Sequence, residues 1–271
     1  STPAPDITSG DAGDVMIEIP KVYYKITQDS QYTYIKISDN PLTKITDGFT
    51  DFAHSYNGVV KDKFYVGAYL GFVDGNNKLR SLSGKVVSGS KTLSAFRTAA
   101  QANGAGYELL SFNKLTLLQI LYLIRFKSLN SQTALGRGNV DSNEFNETGV
   151  RNTSGMNYGT NSGSVSVKCN GMEDFWGNKQ QWVDGFYLAA NGDILISDGG
   201  FNNTGYGYKV YANQSVTISG YLKHIRGTNE LGFAPLDLTG SYSTYYCDFG
   251  GLSVAAGGCV PHFGGHAYSQ S

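Results

Sequence analysis

The chain has 271 residues and a formal net charge of −1, with 16% of its residues charged. That length suffices to bury a full hydrophobic core, and so sparse a charge leaves no broad basic field for a phosphate backbone or an anionic membrane surface, so no nucleic-acid partner is expected. Its 35 Gly, 19 Tyr and 14 Phe suit a loop-rich protein whose surface is polar through Tyr, Asn and Ser rather than through ions.

Residues 1–13 (STPAPDITSGDAG) have little to bury and read as a linker or loose tail, with the rest of a larger assembly expected upstream. From Val15, the runs VMIEIPKVYYKIT and QYTYIKIS alternate apolar and polar residues on either side of QDSQ, which predicts a hairpin. FYVGAYLGFVDGNNKLRSLSG predicts a second strand pair about the turn Asp74-Gly75-Asn76-Asn77. Residues 92–103 place Leu93, Phe96, Ala99 and Ala100 on one helical stripe, with Gly104 at the capping position. Residues 114–126 (KLTLLQILYLIRF) are apolar nearly all round and predict an interior helix. Interrupted by Gln119 and Arg125, this run falls short of the ~20 residues that span a bilayer, and no membrane insertion is expected.

A long polar stretch follows over residues 128–167, of the kind that is functional or disordered in a compact domain. QWVDGFYLA and DILIS flank Asn191-Gly192, a strong hairpin signal, and VTISGYLKHI predicts one more strand. Residues 227–271 alternate short strand candidates with glycine pairs. Two helices among many short antiparallel strands and long loops predict a single α+β domain over residues 14–271.

One block is more specific. Residues 171–185, GMEDFWGNKQQWVDG, resemble the G-x-x-D-x-x-G-N-x-x-E-W-V block of the C-type-lectin-like fold shared by formylglycine-generating enzymes and the variable proteins of diversity-generating retroelements. Gly171, Asp174, Gly177, Asn178, Trp182 and Val183 match, while Gln181 stands where the family usually has Glu. IPKVYYKI, YVGAYLG, RSLSGK, a helix, GYELLSFNKLTLLQIL and a G-R-G-N loop precede it in the order found in phage tail proteins of this type, so the resemblance covers residues 14–271. Physically, the block reads as a tight Gly177-Asn178 turn that delivers Trp176 and Trp182 to a core and Asp174 to a loop-pinning hydrogen bond.

The resemblance implies a non-enzymatic receptor-binding module of a phage tail fibre or retroelement-diversified surface protein. Its homotrimer would sit on a virion tail or extracellular surface and bind a bacterial surface protein or glycan. The ligand face would lie in residues 227–271, where Tyr242, Ser243, Tyr245, Tyr246, Asp248, His262, Phe263, His266 and Tyr268 offer contact area and adaptable hydrogen bonds. Tyr245 and Tyr246, being adjacent, cannot both face outward from one strand. Phage proteins of this kind often continue into a further aromatic strand, whereas this sequence ends at AYSQS.

Two other readings compete: an oxidase of the formylglycine-generating kind using Cys247 or Cys259, and a purely structural virion protein whose tyrosines form an oligomer contact. The oxidase chemistry needs a closely spaced cysteine pair, which Cys247 and Cys259 do not form, although a disulfide between them stays open on sequence grounds. No cofactor and no metal are expected: Gly264-Gly265 makes a helical His262/His266 site improbable, and Ser90 breaks the phosphate-loop spacing of GKVVSGSKT.

Overall fold

The apolar alternation that begins at Val15 makes two strands rather than one, because Pro20 lacks the amide hydrogen needed to continue a ladder. In the computed structural model, which describes residues 4–214, 218–253 and 257–265, Met16–Pro20 pairs antiparallel with the distant Lys63–Gly67, setting Ile17 opposite Val66 and Ile19 opposite Phe64. Tyr23–Gln28 and Thr33–Ser38 form the predicted hairpin. Residues 4–13 are not loose: the Ser83 amide donates to the Ile7 carbonyl (3.0 Å) and Arg80 Nη2 to that of Gly10 (3.2 Å).

Among the described residues four α-helices form, two of them short: α1 (Leu42–Thr46), α2 (Leu93–Gln101), α3 (Phe112–Phe126) and α4 (Ser131–Ala134). The sequence pattern shows only the longer pair, since one turn carries too few residues to display a period. Thr92 Oγ1 caps α2 by accepting from the Ala95 amide at 3.2 Å, and Gly104 takes φ +123° just past its end. α3 starts two residues before the apolar run. It buries Leu115, Leu117, Leu118 and Ile120, then emerges so that Ile124 and Arg125 face outward.

Phe186–Leu188, Asp193–Ile196 and Lys209–Asn213 make a three-stranded antiparallel sheet, whose first turn contains the expected Asn191-Gly192. Gly192 has φ +87°, and a Cβ there would meet the Gln214 carbonyl oxygen at 2.4 Å. The predicted VTISGYLKHI strand divides: Ile218–Tyr221 pairs with Phe249–Leu252, and His224–Ile225 with Pro235–Asp237. Finally, His262–Phe263 pairs with Gln181–Trp182.

One buried cluster joins Tyr24, Phe64 and Val66 to the inner face of α3, to Phe175, Val183, Leu188 and Ile194, and to Leu252. The protein is therefore mixed α and β, with four helices and many short antiparallel strands among the described residues. No described helix is long and apolar enough to cross a membrane.

Candidate functional site

The 171–185 block holds the loops that carry the candidate surface. Gly177 (φ +83°) and Asn178 (φ +62°) make its tight turn. A Cβ on Gly177 would lie 2.8 Å from the Asn139 amide nitrogen, and one on Gly138 would lie 2.9 Å from the Trp176 carbonyl oxygen, so the two backbones touch at paired glycines. The fully buried Asn178 side chain donates to the Asn146 carbonyl (2.9 Å) and to Asp174 Oδ2 (2.8 Å), and accepts from the Asn146 amide (2.9 Å). Buried Glu173 adds two more ties, accepting from the Gly149 and Arg151 amides at 2.7 Å each. The polar stretch is thus pinned over residues 138–151, and Asp174 acts on it through Asn178, from which its carboxyl accepts, rather than by a direct bond to Asn146. Burial pushes the Asp174 carboxyl up to about 7.

The two tryptophans part company. Trp176 packs on Tyr122 edge-on at 5.7 Å and donates its indole N–H to the Gly136 carbonyl (2.9 Å). Trp182 is not a core residue: it is half-exposed, donates to the Lys91 carbonyl (3.2 Å), and carries the His262 ring edge-on at 3.8 Å.

The expected ligand face also divides. Tyr242, Tyr245 and Phe249 are 76%, 46% and 69% exposed, whereas Tyr246 is 8% exposed and packs edge-on against Phe233. Left-handed backbone at Tyr245 (φ +60°) and Cys247 (φ +58°) turns successive side chains out, in and in, so Tyr246 belongs to the scaffold. Ser243 and Asp248 stay at the surface. The Gln132 side chain hydrogen-bonds to the Asp248 carboxyl, joining the polar loop to this segment.

Tyr221 lies opposite Phe249 across the strand pair, with rings 5.5 Å apart, and the Lys223 ammonium stands 5.5 Å from the centre of the Tyr245 ring. Next to them Tyr242 joins Asn130, Gln132, Thr133, Arg137 and Asn161 around a pocket of about 250 Å³. The long polar loop and the C-terminal tyrosines therefore build one surface.

Phe263 leaves that surface, since its ring packs on Phe175 at 5.1 Å. His262 is exposed but sits on Trp182, away from the strand pair bearing Phe249. His266 and Tyr268 lie outside the described residues. Phe249 and Tyr221 were missed in the sequence, where a Phe beside Gly250-Gly251 gives no sign of which way it faces. Cys169, Cys247 and Cys259 are free thiols, so the Cys247–Cys259 disulfide is absent.

A second concavity was also missed. A groove of about 650 Å³ runs between the Lys63–Gly67 strand, the segment after α2, the first turn of α3 and the 171–185 block; its lining includes His54, Tyr56, Phe64, Glu108, Lys114 and Trp182. Its residues come from stretches scattered between Asp14 and Phe201, which no local pattern connects. No family model and no curated protein matches this chain.

Proposed function

We propose that this chain is a non-enzymatic recognition module with a C-type-lectin-like fold, serving as the receptor-binding part of a phage tail fibre or of a retroelement-diversified surface protein. In this reading it acts as a homotrimer on a virion tail or outer surface, and its C-terminal aromatic surface binds a bacterial surface protein or glycan. The observation that carries the reading is the exposure of Tyr242, Tyr245 and Phe249, with Tyr242 closing a polar pocket against the 128–167 loop. Rigid aromatics among adaptable polar groups are the chemistry of protein-binding loops, and large exposed apolar side chains grouped together mark interaction sites. Burial pushes the Cys247 and Cys259 thiols up, away from the thiolate that cysteine oxidase chemistry would use, which favours recognition over catalysis.

Binding of the purified protein to whole bacterial cells, compared with a Tyr242→Ala/Phe249→Ala variant, tests the reading. Both side chains are exposed, so the variant's unfolding free energy should stay within about 0.5 kcal/mol of the parent, while cell binding falls at least about tenfold. Equal binding by both proteins would move the receptor site elsewhere. Unchanged binding with loss of a native oligomer would make the aromatic surface a subunit contact.

A further inference from the structure

Away from that surface, an open strand edge runs along the groove of about 650 Å³, and the pairing of Lys63–Gly67 with Met16–Pro20 fixes which backbone groups it presents. At the two ends of that ladder the Ala68 amide donates to the Val15 carbonyl (2.9 Å) and the Lys21 amide to that of Asp62 (2.8 Å), so Val15–Ala68 and Lys21–Asp62 are hydrogen-bonded pairs. Such pairs alternate with open ones along an antiparallel ladder. Phe64 and Val66 therefore turn their backbone groups toward Met16–Pro20, while Lys63, Tyr65 and Gly67 turn theirs away. Among the described residues no backbone N–H or C=O of those three has a hydrogen-bond partner. The outer side of the strand is occupied only as far as Lys61, whose amide donates to the His54 carbonyl (2.9 Å) as the last rung of the short Ser55–Tyr56/Val59–Val60 hairpin. Past that rung the partner chain curls into a 3-10 turn at Phe52–His54 and leaves the edge without a neighbour.

The two edges of this sheet differ. The outer edge of Met16–Pro20 is blunted by Pro20, which has no N–H to give, whereas Lys63–Gly67 contains no proline and pairs without a bulge. The groove beside it is also unbalanced in charge. Among the described residues Lys61, Lys91, Lys114 and Lys179 line it without an ion pair. The carboxylates that line it are already used: Asp14 holds Arg80 (3.0 Å), Glu108 accepts from Tyr56 Oη (2.8 Å), Glu173 accepts from two backbone amides, and Asp174 accepts from Asn178.

We propose that the groove takes an extended acidic peptide segment of a partner protein, which adds a strand to Lys63–Gly67 through the outward backbone groups of Lys63, Tyr65 and Gly67 and sets its carboxylates among the lysines. In strand addition the main-chain hydrogen bonds supply affinity and register, and the side chains at alternate positions supply selectivity. Five residues of strand extend roughly 17 Å, and the volume lies within the roughly 300–1,000 Å³ of ligand sites. Tyr65, 49% exposed, and Trp182 offer flat apolar contact to the peptide's side chains. An acidic glycan would meet the same lysines but leave the ladder edge unpaired, which favours the peptide.

Fluorescence anisotropy with a labelled heptapeptide of alternating glutamate and valine tests the site. Two backbone-methylated versions, one methylated at every glutamate nitrogen and the other at every valine nitrogen, each lose the donors of one edge of the peptide strand. The unmethylated peptide is expected to bind with Kd below about 100 µM, and one methylated version to bind at least about tenfold more weakly than the other. A lysine–valine heptapeptide should also bind at least about tenfold more weakly than the acidic one. Tyr65→Pro removes one outward N–H but no bond of the ladder to Met16–Pro20, so the protein should still melt cooperatively while the acidic peptide weakens at least about tenfold. Equal binding of the two methylated versions, equal binding of acidic and basic peptides, unchanged affinity in folded Tyr65→Pro, or no binding up to about 1 mM would overturn the proposal. Tighter binding of tetragalacturonate than of the acidic peptide would overturn it in favour of an acidic glycan. The methylated pair needs no variant, so it decides even if Tyr65→Pro does not fold. Tyr242→Ala/Phe249→Ala should bind the peptide as the parent does; loss of binding there would put the peptide on the aromatic surface and overturn its assignment to the groove.

Discussion

Asn178 shows how much a single side chain can hold. Both ends of its amide are occupied inside the protein, and its backbone takes a left-handed conformation that costs a residue such as Ala about 1 kcal/mol. Asn178→Ala would leave the Asn146 backbone groups buried without partners, and a loss of about 3 kcal/mol or more is expected from urea unfolding. New tryptic cleavage at Arg151 should accompany it, because the polar loop is tied down through this residue. Asp174, its neighbour in the network, has a different signature. Its carboxyl rises from 3.8 in the unfolded chain to about 7 when folded. Between those values the unfolded chain has released a proton that the folded protein keeps, so this group's contribution to stability falls as pH rises from about 4 to about 7 and is level above. His54 acts oppositely over nearly the same window: burial lowers it from 6.5 to about 4, so its contribution falls as pH drops from about 6.5 to about 4. Asp174→Asn leaves only the second slope. The stability difference between Asp174→Asn and the parent should therefore shift in the variant's favour from pH 4 toward pH 7, by at most about 1.4 kcal/mol per pH unit. Parallel stability curves would show that Asp174 is not protonated in the folded protein.

Among the elements, α2 is attached through a buried ion pair. Arg97 donates to Asp184 Oδ2 (3.0 Å) and Oδ1 (2.6 Å), with Asp184 1% exposed, and its Nη1 donates to Asn203 Oδ1 (2.9 Å). The Asp184 backbone meanwhile brackets the start of α3, accepting from the Phe112 amide (2.8 Å) and donating to the Leu110 carbonyl (2.9 Å). Arg97→Ala strands a buried carboxylate at that junction and should cost about 3–5 kcal/mol in chemical unfolding, against about 1 kcal/mol for losing the Thr92 cap in Thr92→Ala. Part of this was legible in the sequence. The stripe Leu93, Phe96, Ala99 and Ala100 locates the buried face of α2, and Arg97, four residues after Leu93, falls on that face, which requires a buried partner. The partner stands 87 residues away and could not be read from any local pattern. Strand pairing follows the same division. The hairpins about residues 74–77, where Phe72–Val73 pairs with Leu79–Arg80, and about 191–192 were readable because turn chemistry fixes register locally, whereas the pairing of Met16–Pro20 with Lys63–Gly67 depends on tertiary contacts. The groove was illegible for the same reason.

At the scale of the whole molecule, the C-terminal segment has two jobs that its uniform composition conceals. Residues 241–249 put Tyr242, Tyr245 and Phe249 into solvent, while residues 257–263 close the scaffold. Leu188 and Cys259 exchange two backbone hydrogen bonds of 2.9 Å, and the Val183 amide donates to the Pro261 carbonyl (3.2 Å). Tyr187 Oη donates to the Gly257 carbonyl (2.6 Å), and Phe263 covers Phe175. Reading all of residues 227–271 as a ligand face therefore assigns Phe263 and Tyr246 to recognition when their packing serves stability. Deleting residues 254–271 should expose one edge of the Phe186–Leu188 strand and the Phe175 ring together, a loss of about 4 kcal/mol or more from four hydrogen bonds and one aromatic contact. For a domain of this size that is a fall of roughly 10 °C in Tm. The Tyr242→Ala/Phe249→Ala variant should melt with the parent. If the deletion instead melts with the parent while the double alanine variant unfolds early, the two halves of the segment have been assigned the wrong way round, and the receptor surface belongs nearer Trp182 and His262.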